Sequence, residues 1–140
     1  MSARLAVIEA VVAMVRGALP NADILGLDDN VSAPGRLSPG GRVVVRSGAP
    51  GAPDIDLSPR RYNYSHRIPV EIDAASEAQL AAMVVAIGEA IETDRTLGGA
   101  VEWVDGEAPE TEDIEIDAAK APRGTELTLV AMYATANPLT

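Results

Sequence analysis

The chain has no cysteine, which excludes disulfides, thiolate metal sites and cysteine nucleophiles together. Phenylalanine is also missing, and aromatics amount to 3% of 140 residues, although 47% of the chain is hydrophobic. Any core must be filled by Ala, Val, Ile and Leu, and a large aromatic-lined ligand cavity is disfavoured. One histidine, His66, is the sole bearer of imidazole chemistry. Basic residues are outnumbered, and the net charge of −10 argues against electrostatic wrapping of nucleic acid. No apolar run reaches the ~20 uninterrupted residues of a membrane span. The N-terminal stretch MSARLAVIEAVVAMVRGALP is interrupted by Glu9 and Arg16 and reads as a buried soluble helix, with a signal peptide as the lesser alternative because its basic start is short.

The length fits one domain spanning residues 1–140. A first helix is predicted from about Ser2 to Leu19, where Leu5, Ile8, Val12, Val15 and Leu19 recur at helical spacing and Pro20 ends the run. NADILGLDDNVSAPGRLSPGG reads as a long irregular connection, RVVVRS (Arg42 to Ser47) as a short strand, and GAPGAPDIDLSP as a segment too rich in Gly and Pro for any regular element. RRYNYSHRIPVEID alternates, placing Tyr62, Tyr64, His66, Ile68, Val70 and Ile72 on one strand face. Pro69 within it calls for an edge or a bulge. A second helix opens near Asp73 or Ser76, Ser76 and Gln79 having capping-box spacing, and buries Leu80, Met83, Val84, Ile87 and Ile91. Strands follow at Leu97 to Val104, Thr111 to Asp117 and Thr125 to Thr135. The order implies an α+β fold: a mostly antiparallel sheet of about five strands with two helices packed on one face.

Candidate chemistry is sparse. His66 lacks neighbours that would make a serine-histidine-acid arrangement, so it is expected to be a solvated or interface histidine. Glu110, Glu112, Asp113, Glu115 and Asp117 offer oxygen ligands, but strand alternation separates adjacent ones and no calcium-loop spacing is present. In ETDRTLGGAVEWVD (Glu92 to Asp105) the glycines lead into a strand and no lysine follows, the reverse of a phosphate-binding loop. Gly98 and Gly99 are better explained as a tight helix-to-strand return requiring positive φ, with Arg95 suited to the negative helix end and Val101 and Trp103 sealing the core. No catalytic residue, cofactor site or metal site is assigned.

Charge is unevenly distributed. From Asp94 to Asp117, nine acidic residues against Arg95 alone leave −8; from Val31 to Val70, six arginines against Asp54 and Asp56 leave +4. The ordinary reading is solvated surface. The sharper one is that opposed patches on two copies meet head to tail, with Arg42, Arg46, Arg60, Arg61 and Arg67 of one copy pairing with Glu107, Glu110, Glu112 or Asp113 of the next.

The order of elements, the stretch IETDRTLGGAVEWVD with Asp94, Leu97, Gly98, Gly99 and Val101, and the last strand TELTLVAMYAT with Tyr133 and Thr135 together resemble the tail terminator (tail completion, minor tail protein U-like) proteins of long-tailed phages. The likeness in order covers nearly the whole chain, and its sharp part about ten residues. It implies a structural virion protein, not an enzyme: a homo-hexameric ring that caps the tail tube, ends tail elongation and presents a surface to the head-side connector. Its partners would be copies of itself, the tail tube protein and the connector, with no cofactor, no membrane and no sequence-specific nucleic acid. It would be assembled in the host cytoplasm and located in the virion tail of a phage, prophage or gene-transfer particle. A head-to-tail connector (neck) protein is the alternative within the same particle, and a small ligand-binding or acyl-transfer protein the alternative outside it.

Overall fold

A computed structural model describes residues 2–29, 37–109 and 123–140. Helix α1 spans Ala3–Ala18. It starts where the Ser2 hydroxyl accepts the Leu5 amide at 3.2 Å, and it ends at Leu19, just before Pro20. Its buried stripe is Val7, Ile8, Val11, Val12 and Val15, so the helix is turned relative to the expected face and Leu5 is only half-buried. Helix α2, Glu77–Thr93, buries Leu80, Met83, Ile87 and Ile91, at about 2 kcal/mol for each fully covered aliphatic side chain. Ser76 accepts from the Gln79 amide, while the Gln79 side-chain oxygen reaches back to the Ala75 amide, one residue before the position of a standard capping box.

Six strands are described: β1 Asp23–Leu25, β2 Arg42–Val45, β3 Asp54–Leu57, β4 Arg60–Ala74, β5 Trp103–Glu107 and β6 Arg123–Thr135. They form one sheet in the order β1-β2-β4-β6-β5, with β3 also paired to β4. All pairings are antiparallel except β1 with β2. Both helices pack on one sheet face, against Val43, Val45, Ile68, Val70, Ile72, Leu127, Leu129 and Ala131, giving an α+β fold with an almost entirely aliphatic core.

Four expectations need correction. Residues 23–25 pair with β2 although they lie within the segment expected to be irregular. DIDL forms β3 despite its Gly and Pro surroundings, because the first half of β4 offers it a partner across a turn containing the cis Ser58–Pro59 bond. Residues 97–99 are a 3₁₀ turn and the strand starts only at Trp103. That shift turns Val104 into the core and leaves Trp103 45% exposed on the opposite face, so Trp103 does not seal the core, although Val101 is buried. The expected strand from Thr111 to Asp117 lies outside the described residues.

Pro69 lies inside β4, opposite Thr128. The N–H and C=O of a strand residue point the same way, and the Pro69 carbonyl accepts from Arg46 at 2.9 Å, so the missing donor faces β2. There β2 stops, at Val45 opposite Val70, and the chain meets β4 again where Ala49 pairs with Arg67. The first segment advances four residues while β4 advances three, which is a bulge. Gly48 makes it possible: with φ of 57°, a Cβ there would sit 1.9 Å from the Arg67 carbonyl oxygen and 2.9 Å from the Pro69 ring.

Gly51 has φ of 74° and open space around it, so it provides an internal control. Urea denaturation should show Gly51→Ala costing about 1 kcal/mol, the penalty of the left-handed backbone alone. Gly48→Ala should cost at least about 2 kcal/mol more, because the backbone itself must move. Equal costs would mean that the bulge does not depend on the close approach.

Candidate assembly surfaces

The sheet face turned away from the helices carries a grid of ion pairs. Arg42 binds Asp73 at 2.8 Å directly across the β2–β4 ladder, and Arg46 reaches Glu71 at 3.0 Å diagonally across it. Arg67 crosses β6 to grip Glu107 of β5 with two bonds of 2.5 Å, and Arg61 reaches Glu102 at 2.6 Å. The fork of Arg67 pushes the Glu107 carboxyl below its usual range, and Glu107 raises the guanidinium in turn. Arg46–Glu71, Arg61–Glu102 and Arg67–Glu107 are exposed, so each contributes little to stability, while Arg42–Asp73 is half-buried. Their effect is to fix the charge pattern of the face.

Four of the five arginines expected to pair between copies thus pair within one chain, Arg67 with the expected partner Glu107 of its own copy. Arg60 has no ion-pair partner among the described residues. Glu110, Glu112 and Asp113 lie outside the described residues.

The return from α2 to the sheet is organised by Asp94. Its carboxylate accepts from the Thr96 hydroxyl at 2.8 Å, the Thr96 amide at 3.0 Å and the Gly98 amide at 2.7 Å. Those donors, the Thr96 hydroxyl foremost, lower its pKa. Leu97, Gly98 and Gly99 all have positive φ, 49°, 71° and 94°, so three successive residues turn left-handed. Arg95 then ties the turn to β5 by binding Glu92, Asp105 at 3.1 Å and the Val104 carbonyl at 3.2 Å, with its guanidinium 4.6 Å from the Trp103 ring centroid. Asp105 is held below its usual range by Arg95.

His66 is 0% exposed, which corrects the expectation of a solvated or interface histidine. Its phase in the β4 alternation points it inward with Tyr64 and Ile68. Nε2 lies 2.6 Å from the Ser47 carbonyl oxygen and Nδ1 2.9 Å from the Tyr133 hydroxyl. A carbonyl only accepts, so Nε2 carries the proton, and the neutral ring accepts from Tyr133 at Nδ1. Burial lowers the His66 pKa, the Ser47 carbonyl partly offsetting it; burial likewise raises that of Tyr133. The histidine therefore acts as a clamp, holding the Ser47 loop to β4 and β6.

Two features extend beyond the body. The ribbon of β3 and the start of β4 carries Ile55 at 53% exposure and Leu57 at 82%. On the helix layer, Ala10, Ala13, Met14, Ala90, Asp94 and Leu97 line an open groove of about 340 Å³ between α1 and α2. Among the described residues, no three His, Asp or Glu side chains are grouped to hold a metal, and no helix is long and apolar enough to cross a membrane. The chain matches no protein-family model and no curated protein.

The His66 clamp predicts a definite pH response. Its folded pKa is below its ordinary value of about 6.5, so its contribution is complete above that pH and is lost as pH falls through the lowered value. The carboxyls of Asp94, Asp105 and Glu107 are also depressed, but they lose theirs only below about pH 4. Thermal unfolding should therefore show stability falling as pH drops below about 6.5, a fall that His66→Gln abolishes above the carboxylate range, though that variant is less stable at neutral pH. A slope that persists unchanged in the variant would assign the response to other groups.

Proposed function

We propose that this chain is a structural subunit that assembles as a hexameric ring on the end of a phage tail tube, stops tube growth and forms the surface that joins the head. The supporting observation is what the residues of the resemblance do. Asp94, Gly98 and Gly99 build the turn out of α2, Val101 is buried behind it, and Tyr133 donates to His66 while pairing with Tyr64 across the β4–β6 ladder. All are used in holding the body rigid. A ring subunit needs that rigidity together with surfaces that differ from one side to the other, and the ion-pair face, the projecting ribbon and the helix groove are such surfaces. The net charge of −10 would keep passing DNA from sticking to the lumen.

A neck protein of the same particle would share size and symmetry, and the two roles separate by phenotype. Deleting the gene in a particle-producing strain and imaging the lysate by electron microscopy should reveal tails of uncontrolled, excessive length without heads. Tails of normal length beside unjoined heads would reassign the chain to the neck, and intact particles would remove it from the virion.

A further inference from the structure

At its tip the backbone of the β3–β4 ribbon pairs with no further strand among the described residues, although Arg61 ties it to the body through Glu102. Strand β6 ends at Thr135 opposite Tyr62, so residues 56–61 pair only with each other, through Asp56 opposite Arg61 and Leu57 opposite Arg60. A two-stranded ribbon is marginal in water by itself, and this one exposes two aliphatic side chains. Ile55 and Leu57 stand opposite Tyr62 and Arg60, on the side of the ribbon that continues the helix-covered face of the sheet, beyond the reach of the core. The outer edge of β5 differs: there the Val104 amide bonds to the Arg95 carbonyl, and the Val104 carbonyl to the Arg95 guanidinium.

We propose that the ribbon of one copy seats Ile55 and Leu57 in the α1–α2 groove of the next copy. This rests on the ring reading and names its contact. The groove is apolar because Ala10, Ala13 and Ala90 are too small to fill the space between Met14 and Leu97. Its α2 side is acidic, with Asp94 in the lining and Glu89 and Glu92 beside it, Glu92 being paired with Arg95; on the α1 side Glu9 and Arg16 stand about one helical turn before and after Ala13. The ribbon tip is basic, through Arg60 and Arg61. Arg61 is held by Glu102, which leaves Arg60 available to face Asp94 and Glu89 of the neighbour. The two surfaces are different parts of the chain, so the contact is heterologous and repeats head to tail until it closes.

The absence of native cysteine makes the contact traceable. A Leu57→Cys chain is mixed with an Ala13→Cys chain under mild oxidation; both positions are exposed, and a disulfide between the two chains can form only between copies. The mixed disulfide should dominate. It should also exceed the product of Leu57→Cys with Val85→Cys, an exposed α2 position outside the groove. Predominance of the Leu57→Cys homodimer would mean a symmetric ribbon-to-ribbon contact and overturn the proposal, as would equal yields with Ala13→Cys and Val85→Cys.

Sedimentation of the unsubstituted chain separates the two levels of the argument. Rings without the mixed disulfide overturn the ribbon contact and leave the ring reading standing; monomer without it overturns both. Independently, Leu57→Asp should weaken self-association by at least about tenfold while leaving the melting temperature of the dilute, dissociated chain unchanged. Unaltered association would overturn the proposal.

Discussion

Strands β4 and β6 pair without a break from Tyr62 opposite Thr135 to Ala74 opposite Arg123, and the other elements take their places from that ladder. Its inward residues, including Ile68, Val70, Ile72, Leu127, Leu129 and Ala131, supply the surface on which both helices rest. Its outward residues present Arg67, Glu71 and Asp73 to partners on β5, at the end of β2 and on β2. The ladder even sets the reach of the ribbon, because β4 runs on past the end of β6. In a chain with few aromatics, no single bulky residue could organise the core; a long register of aliphatic pairs does so instead.

At two places this ladder must be locked to irregular backbone. One is the bulge beside Pro69, where Gly48 approaches the Arg67 carbonyl and His66 bonds the neighbouring Ser47. The other is the exit from α2, where Asp94 gathers the amides of a left-handed turn and Arg95 fastens that turn to β5. Both locks use polar groups with complementary geometry, since aliphatic packing alone leaves a loop's orientation undetermined. The body that results is stiff enough to hold a charged face, a ribbon and a groove in fixed relation.

Alternation and helical spacing made the centre of this fold legible. The inward face of β4 and the stripe of α2 follow directly from periods of two and 3.6. Even the burial of His66 was signalled by its phase between Tyr64 and Ile68, although its polarity suggested solvent. Helix α1 is apolar on so many sides that several stripes fitted, and packing chose Val7 and Val11 over Leu5. Trp103 was misplaced because the positive φ of Leu97, a γ-branched residue rarely found there, lengthened the turn and delayed the strand. The surfaces were least legible. Which arginine meets which carboxylate depends on strand register, and Arg42 and Asp73 stand 31 residues apart in sequence. Of the opposed charges along the chain, Arg61 and Arg67 meet Glu102 and Glu107 of the acidic stretch within one copy.

That internal pairing shifts the weight of assembly from the arginine face to the ribbon and the groove, and makes self-association the claim on which the functional account stands. Light scattering of the purified chain across a range of protein concentration measures it most directly. The account predicts a limiting mass about six times the 14.5 kDa of one chain, approached as concentration rises. A mass that stays at one chain throughout that range would contradict it.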